Sequence, residues 1–115
     1  MQVINKPWGR EELIEVNKRY VIKRLFMEEG EQCSLQYHKE KWETLVVLTG
    51  LLTVACNGEI REMGPFESIT IAPYQTHRMS AKHGNCSYLE CSTPELDDVV
   101  RVEDQYGRGT GDQED

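Results

Sequence analysis

From Arg19 onward, apolar and polar positions alternate with a period of two, the spacing of a half-buried strand. Residues 19–27 (RYVIKRLFM) mix β-branched and aromatic side chains with charges over nine positions. Further strands are predicted over residues 33–38 (CSLQYH), 43–50 (ETLVVLTG), 51–56 (LLTVAC), 59–63 (EIREM), 68–72 (SITIA), 76–81 (THRMSA) and 86–92 (CSYLECS). Asn57-Gly58 is a strong hairpin signal, because both residues tolerate the positive φ of a type I′ turn. Gly64-Pro65 and Gly84-Asn85 mark two more turns. No segment before Thr93 keeps a helical period for three turns. Only residues 94–107 (PELDDVVRVEDQYG) invite a short helical turn, with Thr93 as N-cap and Pro94 at the first position.

So many short strands in one small chain must close on themselves or pack as two sheets, since exposed edges invite aggregation. The expected fold is therefore all-β, a small antiparallel barrel or jelly roll. One domain is expected over residues 1–108. Residues 109–115 are expected to form a flexible acidic tail, because the stretch from Gly107 to Asp115 (GRGTGDQED) has no large apolar residue to offset its ordering entropy.

Charge narrows the partners. Thirteen Lys and Arg against 20 Asp and Glu give −7. Asp112, Glu114 and Asp115 fall in the tail, so 17 acids against 13 bases leave the body at −4. A nucleic-acid partner is excluded, because phosphate binding needs a basic face. The N-terminus has no apolar core of a signal peptide, and the longest apolar stretch, residues 45–56, is broken by Thr49, Gly50 and Thr53. No membrane partner is expected. The four cysteines show no C-x-x-C pairing and read as reduced, packed thiols of a cytoplasmic protein.

Strand alternation places Ser34, Gln36 and His38 on one face, with successive members about 6.6–7 Å apart. A short turn over residues 39–41 leads to Glu43, whose face-mates Leu45 and Val47 point inward. His77 follows the turn APYQ, 39 residues beyond His38. Two imidazoles, a carboxylate and an amide oxygen can thus meet at one end of a barrel, a donor set suited to Zn²⁺, Mn²⁺, Fe²⁺ or Ni²⁺. The same residues also fit two hydrogen-bonded structural histidines and a solvated strand-end charge. Spacing alone does not decide between these.

The segment from Gly30 through Gln36-x-His38 and Glu43 to Gly50 resembles the first cupin motif, with Gln36 where its first His usually stands. Gly64 and the run from Ala72 to His77 resemble the second, with Tyr74 in place of the usual Gly and Ala72 in place of the first Pro. Lys6-Pro7-Trp8-Gly9, residues 20–24 (YVIKR), Ser34-Leu35-Gln36-x-His38, the turn from Pro73 to Arg78, and Asp98-Val99-Val100-Arg101-x-Glu103-Asp104-x-Tyr106-Gly107-Arg108 narrow the resemblance to the type II mannose-6-phosphate isomerase cupins. It spans about residues 5–108. That family usually follows a mannose-1-phosphate guanylyltransferase domain and also occurs alone; the transferase's G-x-G-T-R-type loop is absent here, so nucleotidyl transfer is not expected. The resemblance implies Gln36, His38, Glu43 and His77 as ligands of a divalent ion, Zn²⁺ first, with Mn, Fe, Ni or Co as alternatives. Lys39-Glu40-Lys41 stands where members carry His-His-Arg, and Glu43-Thr44-Leu45 where they carry Glu-His-Trp, so the substrate rim is altered.

The implied activity is aldose–ketose isomerisation of a sugar phosphate such as mannose 6-phosphate. It needs a Lewis acid on the carbonyl, a base that moves a proton between C1 and C2 through a cis-enediolate, and a cation for the phosphate. Glu90, on an apolar strand, and Lys23 are the candidate bases. Arg101 and Arg108 carry the family's support as phosphate ligands, with Lys41 or Arg78 as local alternatives. Alternation turns Arg78 away from His77. Two other classes remain open: an Fe(II) oxygenase, which uses a similar donor set, and a non-catalytic metal- and sugar-binding cupin. A homodimer is expected, with Trp8, as a packing or contact anchor, and the strand from Tyr20 as the contact.

Overall fold

The computed structural model describes residues 1–103 and the backbone of residues 111–112. The expected period of two is visible in the burial of each long strand. In β3 (Val21–Met27) alternate residues are buried and the others half-exposed, and β5 (Glu43–Thr49) and β10 (Cys86–Ser92) follow the same alternation except at the exposed Thr49 and the buried Ser87. Two antiparallel sheets result. The first runs β1 (Gln2–Lys6), β2 (Gly9–Val16), β3, β10, β5 and β8 (Ser68–Ile71). The second runs β12 (Gly111–Asp112), β11 (Val100–Glu103), β4 (Leu35–Tyr37), β9 (His77–Ser80), β6 (Leu52–Cys56) and β7 (Glu59–Met63). Their inner faces enclose the core, as a jelly roll requires. Asn57 and Gly58, at φ 52° and 81°, close the β6–β7 hairpin with Cys56 opposite Glu59, as the Asn-Gly signal predicts.

Two elements differ from the sequence reading. The N-terminal hairpin β1–β2 was not expected; it pairs along β3 and adds two strands to the first sheet. Its approach depends on Gly9, where a Cβ would lie 1.9 Å from the Phe26 carbonyl oxygen. The short helical turn expected after Thr93 does not form. Residues 93–99 make an irregular connection with a turn at Leu96-Asp97, and the chain enters β11, whose backbone is satisfied by pairing with β4. Ladder hydrogen bonds there outweigh the local capping signal. Gly111 and Asp112, within the segment expected as a tail over residues 109–115, pair with Arg101 and Val100. The rest of that segment lies outside the described residues, as do Asp104, Tyr106, Gly107 and Arg108.

The interior has two chemically distinct ends. Met27 opposite Cys86, Leu52 opposite Met63, and Ala81 form one, and all are buried and apolar apart from the thiol. Trp8 packs against this core at 1% exposure. It is therefore a packing anchor inside its own chain and is not available as a contact between subunits. At the other end the inward positions are Glu43, Glu90, Lys23, Gln36, His77 and Arg101, with Lys41 and His38 in the β4–β5 turn; all are buried. Among the described residues, no helix is long and apolar enough to cross a membrane.

Candidate metal centre

The register of the second sheet places Arg101, Gln36, His77 and Cys56 opposite one another across β11, β4, β9 and β6. Directly opposed residues share a face, so one row of inward side chains crosses the sheet. Across the barrel, the first sheet sets Glu43 opposite Ser92, and in the next row Leu45 opposite Glu90 and Glu90 opposite Lys23. The β4–β5 turn carries His38 to the end of the barrel, where the two sheets meet.

There His38, Glu43 and His77 converge, with one donor atom from each lying within 4.8 Å of the others. Nε2 of His38 is 3.3 Å and Nε2 of His77 is 2.9 Å from Oε1 of Glu43. The outer nitrogens are engaged elsewhere: Nδ1 of His38 lies 2.5 Å from the Asp98 carbonyl oxygen, and Nδ1 of His77 lies 2.8 Å from that of Gln75. A carbonyl can only accept, so both Nδ1 atoms carry hydrogen and both Nε2 lone pairs face the carboxylate when the rings are neutral. Nε2 of His77 is buried and makes no hydrogen bond of acceptable geometry despite its short distance. Two imidazole lone pairs and a carboxylate oxygen around one point fit a divalent cation.

Electrostatics agree with that geometry. Burial would raise Glu43, but the His38 and His77 rings beside it, which favour its charged form when they carry a proton, and the charge of Lys41 hold it well below the usual carboxylate value. Burial pulls His77 down, and the adjoining Glu43 carboxylate more than offsets it, leaving His77 above the usual imidazole value. Gln36, the fourth expected ligand, lies in the same row, buried, with its side-chain oxygen accepting from Ser34 Oγ at 2.7 Å. The structure thus brings three of the four expected ligands together and sets the fourth beside His77 with its oxygen also engaged by Ser34.

A chain of buried charges continues inward. Lys41 Nζ stands 3.8 Å from Glu43 and 3.6 Å from Glu90. Lys23, at 5% exposure, pairs with Glu11 at 3.3 Å. Burial, together with the negative charge of Glu43, raises Glu90 above the usual carboxylate value, against the pull of Lys41 and Lys23. Both candidate bases therefore face the interior. Arg101 is buried opposite Gln36. Arg78 points outward, as expected, and pairs with Glu103 at 3.3 Å. Glu11, Lys23, Gln36, Lys41 and Glu90 line a small enclosed cavity of about 20 Å³, with Trp8, Tyr88, Leu96 and Val99 as its apolar walls. That is room for about one water. Arg108, the other expected phosphate ligand, lies outside the described residues.

Sequence reasoning missed Glu11 and Asp98. Glu11 sits in a run of charges that reads as a solvated surface, and its burial follows only from the unexpected hairpin. Asp98 had no assigned role. Its carboxylate accepts N–H bonds from Lys39 (3.0 and 3.1 Å), Glu40 (2.7 Å) and Lys41 (2.9 Å), contacts that are 57–59 residues apart in sequence. These three bonds lower its pKa although partial burial opposes the shift.

Residues 1–104 match the family model described as mannose-6-phosphate isomerase C-terminal. Among curated proteins, the chain is 37% identical over 114 residues to the mannose-1-phosphate guanylyltransferase ManC of Salmonella typhimurium, an alignment covering 91% of this chain and 23% of that protein. The chain thus spans under a quarter of that relative's length. Among solved structures, KdgF from Halomonas sp. superimposes with a TM-score of 0.78 at 14% identity, covering 84% of this chain and 89% of that one. A cupin-2 domain from Rhodospirillum rubrum superimposes with a TM-score of 0.72 at 14% identity, covering 78% and 62%.

Proposed function

The chain belongs to the mannose-6-phosphate isomerase C-terminal family of cupins, and from that premise we propose that it is a metal-dependent sugar-phosphate isomerase of the aldose–ketose type. The observation that carries the reading is Glu90. It is a buried carboxylate with a raised pKa, linked through Lys41 to the Glu43 of the His-Glu-His cluster. A proton-transfer base needs a pKa moved toward neutrality, and burial beside another carboxylate does that.

His38, Glu43 and His77 would hold the ion, with Gln36 beside them. Zn²⁺ is the first choice for this donor set. When bound, the ion would supply Lewis-acid polarisation of the substrate carbonyl. Glu90 then exchanges a proton with the carbon next to that carbonyl. Lys41 and Lys23 stabilise whichever side chain holds the negative charge. Arg101, buried on the facing sheet, is the phosphate cation the described residues offer, since a guanidinium holds phosphate bidentately. No nucleotidyl transfer is proposed.

One observation favours a second reading. A cavity of about 20 Å³ does not admit a hexose phosphate, so residues of its lining must move for catalysis. A cupin in which they do not move would bind only a metal and a small ligand. An NMR time course with mannose 6-phosphate in D₂O, using protein loaded in turn with Zn²⁺, Mn²⁺, Co²⁺, Fe²⁺ and Ni²⁺, separates the two. Interconversion with fructose 6-phosphate and deuterium at C2 is expected. Silence with every loaded form would leave the binding module, and an O₂ requirement would favour an oxygenase.

The same reading has the protein act in the cytoplasm, where its four free thiols stay reduced, and as a homodimer. With Trp8 buried, the contact falls to the outer face of the first sheet. There Tyr20 and Trp42, 49% and 52% exposed, flank a groove of about 310 Å³ that includes Ile22, Thr44 and Cys91.

A further inference from the structure

We infer that Asp98 is a positioning residue for the metal centre, acting through His38 and the turn that follows it. The inference rests on reading His38, Glu43 and His77 as metal ligands. Two different groups of Asp98, its carboxylate and its backbone carbonyl, engage the same four residues, His38 to Lys41. Its carboxylate collects the backbone N–H groups of Lys39, Glu40 and Lys41, which binds the β4–β5 turn to the connection before β11. Its carbonyl oxygen accepts the Nδ1–H of His38 at 2.5 Å.

Consequences follow from geometry alone. The turn links two ligands five residues apart, and its conformation sets the distance between His38 and Glu43. Without the carboxylate, three consecutive N–H groups lose their one common acceptor. The carbonyl fixes the tautomer: an Nδ1–H bond leaves the Nε2 lone pair for the ion, as outer partners of metal-bound histidines do. Both effects depend on Asp98 holding one position, and each strengthens the other. The same residue places Lys41, whose ammonium group stands between Glu43 and Glu90. It also ties down the connection whose Leu96 and Val99 wall the cavity. Asp98 therefore joins one wall of the cavity to the segment that carries His38 and Lys41.

The experiment compares the wild type with Asp98→Ala and Asp98→Asn by Zn²⁺ and Co²⁺ titration, the Co²⁺ visible spectrum, and ¹⁵N NMR of the histidine rings without metal. Asp98→Ala keeps the backbone carbonyl but removes the carboxylate that holds it against His38, and disturbing an outer partner of a ligand typically weakens metal binding by about 10- to 100-fold. That weakening is expected for Asp98→Ala, with a smaller one for Asp98→Asn, which keeps one acceptor oxygen. An altered Co²⁺ band pattern and a mixture of His38 tautomers in the metal-free alanine variant are also expected. Should Asp98→Ala fail to fold, Asp98→Asn carries the same readouts. A folded variant with lower thermal stability but wild-type affinity, spectrum and tautomer would overturn the inference alone. A wild type that binds neither ion would overturn the metal reading and take this inference with it.

Discussion

The two ends of the barrel are made by the same alternation and filled by opposite chemistry. At the Met27, Cys86, Leu52 and Met63 end, inward positions are apolar and their burial drives folding. At the other end, inward positions carry Lys23 and Glu90, on the same β3 and β10, together with Glu43, His77 and Arg101 on β5, β9 and β11. A buried ion pair roughly breaks even against a hydrophobic pair of equal volume, because desolvation cancels most of the attraction. The charged end is thus not explained by stability. The apolar end supplies the margin within which a site built of buried charges can be kept.

The sharpest way to break that comparison is to remove volume from the apolar end. Leu52→Ala should cost about 2–5 kcal/mol, the range for a buried leucine in a well-packed core. Urea denaturation would measure it, and a loss below about 1 kcal/mol would mean that this end is not the stabilising one. Next comes pH, read on metal-free protein. Glu43 has a depressed pKa, so its contribution is complete above the ordinary value of 4.5 and fades as pH falls toward its folded value. His77 has a raised pKa, so its contribution is complete below 6.5 and is lost as pH rises through its folded value. Stability should therefore decline on the alkaline side of 6.5, and His77→Gln should flatten that decline in a series of denaturation curves. The smallest stability effect belongs to Glu90→Gln. Since the folded state already disfavours the charge, this variant should lie within about 1 kcal/mol of wild type at neutral pH or be slightly more stable. Deuterium uptake at C2 should nevertheless fall by about 10²- to 10⁴-fold, the usual contribution of a general base. Destabilisation by several kcal/mol with exchange intact would reverse the roles assigned to the two ends.

Much of this was legible in the chain because strand burial repeats every two residues. The strands from Val21 to Ser92 and the Asn57-Gly58 hairpin follow directly from it. The first hairpin was not, because Glu11 and Glu12 stand side by side and Pro7-Trp8 is not a glycine turn; only pairing along β3 makes strands of them. The connection after Thr93 misled for the converse reason, since a local capping signal lost to long-range pairing with β4. Within the site, His38, Glu43 and His77 could be found from motif spacing. Lys41 could be read only as an alternative phosphate cation and Asp98 could be given no role, because their partners are set by how a turn folds onto a distant segment. One departure from the motif is explained by conformation. Tyr74, where glycine is usual, takes φ 66° and stacks on Tyr37 at 5.7 Å between ring centroids. The aromatic contact offsets part of the cost of that backbone.

The four thiols divide along the same line and make the barrel its own reporter of opening. Cys33 and Cys86 belong to the apolar cluster, and burial pushes Cys86 up to about 11. Cys56, beside His77, and Cys91, beside Glu90, are half-buried with more modest upward shifts. Since only a thiolate reacts, alkylation of Cys86 waits for the apolar end to open, whereas the half-buried Cys56 and Cys91 are within reach of a reagent before it does. The order in which the four are modified would read out, without any added label, how independently the two halves of one small barrel breathe.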